Sequence, residues 1–361
     1  MGKLKSVRIL KIIAVNIAIL LVLLLLLEVS LKHIAPRSKM VTGQQFIICD
    51  SDFYYIPHPV LGYFNLPGQY DCNLGEISFN LTILDDTSRY TGFNGFSPLC
   101  DSTQNLYLFG CSFTWGHGIS DTQTMAYQMQ SKLPCTHVKN YGIGASSTVQ
   151  SYLLLKSLIK NNDKPNVVVV NYASIHDERN AFKGKWRQMW QYMLVDNKTN
   201  NAKTDYGNLS FPYAEINEND SLVFDYFPVY EILNYVKIED KSEIIGRLSI
   251  PKLKEQIFSM DGEDIPPTEK QKLSIRVLKE IHQICVSNNI QLVVTGIHHD
   301  DDTKKVLNAL DEAGILTVDI SVNTYQDIYN LQPIDEHPNW LANQIYAEKA
   351  LEYLKQKEII K

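Results

Sequence analysis

From Asn105 onward, short and almost wholly apolar runs alternate with longer stretches in which apolar residues recur at helical spacing. The runs fall at 106–109, 138–141, 167–171, 292–297 and 316–320. Strands covered on both faces read as continuous Val/Ile/Leu segments, whereas half-exposed strands alternate, so these runs predict a buried parallel sheet. Between them, 124–133, 149–159, 274–286 and 303–313 carry the helical period, and Pro338 predicts the first turn of a last helix reaching about Lys355. This order predicts an α/β fold: a flavodoxin-like, doubly wound parallel sheet of about five strands in three α/β/α layers.

Three stretches depart from that rhythm. Residues 181–270, rich in Trp, Tyr, Asn and Asp, fall between the third and fourth runs and predict a lid-like insertion within a main domain of 101–361. Residues 46–100 mix aromatics with Gly, Pro and Asn without a helical period and predict a small β-rich cap, preceded by a polar stalk at 32–45. The third is apolar from 12 to 27 with Asn16 as its one polar residue, extended to about 9–31 around Lys11 and Glu28. It is long enough to span a bilayer, and no Ala-x-Ala-like cleavage site follows it. Lys3, Lys5, Arg8 and Lys11 precede it, which predicts a single-pass cell-membrane protein with a cytoplasmic amino terminus and an extracytoplasmic main domain.

Composition adds mostly exclusions. The 361 residues suffice for a sizeable core, and a net charge of −6 without a basic patch speaks against nucleic acid as a partner. The cysteines Cys49, Cys72, Cys100, Cys111, Cys135 and Cys285 lack metal-ligand spacing. Cys111, ending a buried run, reads as a packed thiol, while Cys49, Cys72 and Cys100 lie where a bridge in an oxidising compartment can form. No metal or cofactor is expected.

In open parallel sheets, ligands bind beyond the carboxyl ends of the strands, so residues directly after a run carry the most weight. Ser112 follows the first run in Gly110-Cys-Ser-Phe-Thr-Trp-Gly116, at a tight strand-to-helix turn suited to a nucleophile. A serine hydroxyl needs a base. His337, in Asp335-Glu-His-Pro-Asn339 between the last run and the last helix, is the histidine with a carboxylate close by to orient it.

Together with Asn140-Tyr-Gly-Ile-Gly-Ala-Ser-Ser-Thr148 and the segment Tyr172–Asn180, these blocks resemble the SGNH (GDSL-like) hydrolase superfamily in order and spacing over 105–360. The resemblance implies Ser112 as nucleophile, His337 as base and Asp335 as its orienting acid. It also implies an oxyanion hole from the backbone N–H of Ser112, the N–H of Ala145 and the side chain of His176. The departures are Cys111 where the family commonly has Asp, Asp335 two rather than three residues before the histidine, Ala145 where it has Gly, and His176 where it has Asn.

The activity implied is that of a membrane-anchored serine esterase removing an acyl group, acetyl above all, from a small molecule or an envelope or exported glycan. O-acyl transfer by the same triad, and a glycan-binding or assembly protein that has lost turnover, stand beside it. Two further clusters are open at this level. His298-His-Asp-Asp-Asp302 is either a metal site or an acidic helix start, and Lys183, Lys185, Trp186, Arg187 and Trp190 either stack on sugars or pack the lid. His117, beside the nucleophile block, reads as positional rather than catalytic.

Overall fold

The computed structural model describes residues 47–50, 55–183, 186, 187, 189, 190, 210–228 and 266–360, together with positions 15, 16, 20, 22 and 23. Contacts divide the chain into two units, Met1–Thr42 with Val236–Asp264, and Gly43–Tyr235 with Ile265–Lys361. In the first, Val15, Asn16, Leu20, Val22 and Leu23 are helical and exposed. The rest of the expected membrane segment 9–31, and the stalk 32–45, lie outside the described residues. Among the described residues no helix is long and apolar enough to cross a membrane.

The second unit opens with short antiparallel strands. β1 (Ile48–Cys49), β4 (Gly68–Leu74) and β5 (Ile77–Ile83) form one sheet, and β2 (Tyr55–His58) pairs with β3 (Gly62–Asn65). In β4 and β5 burial alternates, so Tyr70, Cys72 and Leu74 share an inner face with Phe79, Leu81 and Ile83 while the intervening polar residues face out. Trp115, from the segment after the first predicted run, completes that small core. Cys49 is bonded to Cys72 and Cys100 to Cys135, while Cys111 and Cys285 are buried free thiols. The partner of Cys100 is thus Cys135, which precedes the second run of the main sheet.

That sheet contains β6 (Gln104–Gly110), β7 (Thr136–Gly142), β8 (Val167–Tyr172), β11 (Gln291–Gly296) and β12 (Leu316–Asp319), in the order β7-β6-β8-β11-β12, all parallel. The five predicted runs are these five strands, and their order is that of a flavodoxin-like sheet, with the switch point between β6 and β8. One face packs on α3 (Thr148–Lys160), α5 (Pro267–Ser287) and α6 (Asp301–Asp311), through residues such as Leu155, Val277 and Leu310. The other packs on α2 (Met125–Gln130) and α7 (Trp340–Gln356), through Met129, Tyr346 and Leu351. Two short helices, α1 (Ser112–Trp115) and α4 (His176–Ala181), follow β6 and β8 directly.

Capping sets the helix ends and corrects several predicted boundaries. Helix α7 starts at Trp340 because Asn339 accepts from the N–H groups of Leu341 and Ala342; Pro338 lies before the cap, not inside the first turn. Asp300 accepts from Thr303 N–H, so α6 begins at Asp301 with Asp302 also in its first turn, and the acidic cluster is a helix start. Helix α5 begins at Pro267, well before the expected 274, because its first turns are polar and carry no apolar period.

Of the insertion 181–270, the described part after Trp190 is a hairpin, β9 (Ser210–Ile216) with β10 (Leu222–Pro228), and the start of α5 from Pro267. Phe211 and Ala214 join the main core, as do Trp186 and Trp190. Arg187 is buried over the Phe227 ring at 3.8 Å and Trp186 and Trp190 are buried too, so these three pack rather than project, while Lys183 is half-buried. Lys185 lies outside the described residues.

Arg89, fully buried, ties the amino-terminal strands to the segment that follows β6. Its guanidinium meets Asp121 at 2.8 Å and donates to the carbonyls of Trp115 (2.8 Å), Gly116 (2.6 Å), Ile119 (2.6 Å) and Asn80 (3.3 Å). Its own N–H donates to Asn140 O of β7 at 2.8 Å. Removing one partner of a buried pair strands the other, so Arg89→Met should cost about 3–5 kcal/mol in urea unfolding. Pairing it with Asp121→Leu should cost less than the two single losses added.

Candidate active site

Strand β6 ends at Gly110, and the chain turns at once into α1, whose first residue is Ser112. Two asparagines, each near the carboxyl end of a neighbouring strand, fasten this turn. Asn140 donates to Thr114 O at 2.9 Å, and Asn171 donates to Thr114 Oγ1 at 2.9 Å while accepting from Thr295. Gly142 is needed for close approach: a Cβ there would stand 2.8 Å from Trp115 Cα and nearer still to its nitrogen. Sequence reading missed both asparagines as positioning residues; a polar residue inside an otherwise buried strand was their one signal.

The structure brings three of the predicted residues into one hydrogen-bonded row. His337 Nε2 lies 2.8 Å from Ser112 Oγ, and its Nδ1 lies 2.5 Å from Asp335 Oδ1. The same carboxylate oxygen accepts the backbone N–H of His337 at 2.7 Å, so the two-residue spacing still seats the acid against the ring. Burial alone would raise the Asp335 carboxyl, but the hydrogen bond and charge of His337 outweigh it and hold it well below the usual carboxylate range.

His117 stacks on His337, with ring centroids 4.0 Å apart and planes at 26°. Burial, then the proximity of His337, pushes His117 down to about 3, so it stays neutral at physiological pH. Ligand atoms of His117, Asp335 and His337 lie within 4.8 Å of one another.

The remaining predicted residues are the oxyanion donors. The N–H of Ser112, first in a helical turn, has no intrahelical acceptor. Ala145 has φ +61°, in the left-handed region that costs a non-glycine residue roughly 1–2 kcal/mol. His176 opens α4 and is buried, its Nδ1 3.2 Å from Thr148 Oγ1 and its ring edge-on to Tyr172 at 5.8 Å. Its Nε2 is buried without a partner among the described residues, and burial pushes its pKa well down, so the ring is neutral. No direct contact joins it to Ser112 or His337 among the described interactions.

No protein-family model matches this chain, and no curated protein does. Among solved structures, a lipolytic protein of the G-D-S-L family from Veillonella parvula is similar at 12% identity over 70% of this chain and 98% of its own, with a TM-score of 0.37. The esterase EstA from Pseudoalteromonas sp. is similar at 9% identity over 71% and 99%, with a TM-score of 0.38. A family two carbohydrate esterase from Clostridium thermocellum is similar at 9% identity over 73% and 66%, with a TM-score of 0.37.

Because the folded value of Asp335 lies below the unfolded one, its stabilising contribution is present above the unfolded carboxylate range, near about 3.9, and is lost as pH falls toward the folded value. The stability difference between wild type and Asp335→Asn should therefore be larger at neutral pH than at about pH 3. Denaturation series at the two pH values measure it.

Proposed function

We propose that this chain is a serine esterase of SGNH type, carried on a membrane-anchored chain and acting on acyl esters, acetyl esters among them. The hydrogen-bonded row Ser112, His337, Asp335 carries the reading, above all the 2.8 Å contact between hydroxyl and imidazole. His337 Nε2 takes the proton of Ser112 as Oγ attacks the ester carbonyl, and Asp335, kept ionised, holds the Nδ1 proton and balances the imidazolium. Negative charge forming on the carbonyl oxygen is met by the N–H groups of Ser112 and Ala145 and by Nε2–H of His176. Collapse expels the alcohol, which takes the proton from His337 and leaves an acyl group on Ser112. A water, deprotonated by the same imidazole, then releases the acid. An acceptor hydroxyl in place of that water gives acyl transfer, and product analysis separates the two.

For His176 the proposal requires the tautomer with hydrogen on Nε2, in which Thr148 donates to Nδ1. The buried, unpartnered Nε2 is what supports it. An extracytoplasmic location is supported by the apolar run with basic residues before it, and by disulfides Cys49–Cys72 and Cys100–Cys135 of a kind that persists in oxidising compartments.

A fluorophosphonate probe should label the full chain at Ser112, and Ser112→Ala should abolish both labelling and hydrolysis of 4-nitrophenyl acetate. A folded wild type that resists the probe would overturn the reading in favour of a binding protein. His176→Ala should lower kcat by about 10²–10³ with little change in KM, as loss of one oxyanion donor does. An unchanged kcat would assign His176 to packing alone.

A further inference from the structure

We propose that Tyr63 and Arg179 are positioning residues for the reaction, which grip the turn around Ala145 from two sides and so hold its N–H ready for the oxyanion. The proposal rests on the reading of Ser112 given above and concerns what keeps one donor of that site in place.

Strand β7 ends at Gly142, and the chain then turns through Ile143, Gly144, Ala145 and Ser146 at the edge of the sheet that bears Ser112. Two bonds fasten this turn to the end of β6: Ile143 N–H donates to Gly110 O at 3.1 Å, and Ser146 Oγ donates to the same carbonyl at 3.0 Å. Ala145 lies between them with φ +61°, and its N–H has no acceptor among the described residues. A left-handed backbone strains alanine as it does not strain glycine, so contacts outside the residue must impose it.

Those contacts come from two distant elements. Tyr63, on β3, donates its buried hydroxyl to Gly144 O at 2.7 Å. This carbonyl and the N–H of Ala145 belong to one trans peptide plane and point in opposite directions, so holding the oxygen fixes where the N–H points. The next plane is set within the turn, where Ser146 N–H donates to Ile143 O at 3.2 Å. Arg179, on α4, secures the one after it by donating from Nη1 to Ser146 O at 3.0 Å.

Both side chains are backed by the insertion. The Arg179 guanidinium lies 4.4 Å over the Trp186 ring, Trp186 meets Trp190 edge-on at 6.2 Å, and Trp190 is 5.1 Å from the Tyr63 ring. A closed circuit of buried aromatics thus stands behind the turn. Space-filling would be served as well by Phe and Met at the two positions. What Tyr and Arg add is a donor to the carbonyl on either side of Ala145.

The test uses the full chain in detergent, with 4-nitrophenyl acetate as substrate and a fluorophosphonate as probe. Tyr63→Phe and Arg179→Met should each lower kcat by about tenfold with KM unchanged, because the donor they orient acts in the transition state. Ala145→Gly should shrink each loss to about threefold or less, since glycine reaches the left-handed region unaided. A loss that falls on KM, a kcat unmoved in either variant, or an equal loss in the Ala145→Gly background overturns the proposal. Should Arg179→Met fail to fold, the Tyr63→Phe comparison decides alone. Wild type that labels at Ser112 while the variants keep full kcat discards the positioning role and retains the esterase reading. A folded wild type that does not label discards both.

Discussion

A single buried guanidinium holds the two halves of the described unit together. The loop after α1 must turn back on itself within a few residues, and doing so points the carbonyls of Trp115, Gly116 and Ile119 inward, away from water. Each would be costly without a donor. Arg89 supplies a planar fork that reaches all three and still meets Asp121, so its charge is both paired and fully used. Because its backbone also bonds to β7, the amino-terminal strands, the loop after α1 and the sheet share one fixed reference.

The site inherits its geometry from that frame. Parallel strands deliver their carboxyl ends to one edge, and β6 lies between β7 and β8, so the residue after it has neighbours on both sides. Thr114 is held from those sides by Asn140 and Asn171, which fixes α1 without any side-chain cap at Cys111. Cys111, the residue before Ser112, can therefore be a packed thiol, because the turn is secured from the flanking strands. His337 arrives from the far end of the chain, and its ring stacks on His117 and meets Phe113 edge-on.

Much of this was legible in the chain itself. The five runs were readable as strands because burial on both faces removes polar residues, and Ser112, Asp335 and His337 stood out because each follows a strand or adjoins a complementary partner. What escaped reading depends on contacts far apart in sequence. Arg89 lies amid polar residues with nothing local to mark it as buried; Cys135 gives no sign of pairing with Cys100; and the stacking of His117 requires knowing that residue 337 comes to lie over it. Helix ends slipped where a cap residue such as Asn339 or Asp300 overrode the apolar period.

The Cys100–Cys135 bond sits just before β6 and β7, at the ends of those strands opposite to the site, where Gln104 also donates to Cys135 O. The two strands that lead into the Ser112 turn and carry Asn140 are thus tied covalently at the base as well as paired along their length up to Gly110 and Gly142. Sliding or rotation of one against the other is therefore restrained at both ends, by the disulfide below and by Ile143 N–H donating to Gly110 O above. Cleaving the bond would remove the lower restraint and leave the β6–β7 ladder, up to Gly110 and Gly142, as what holds the two strands together.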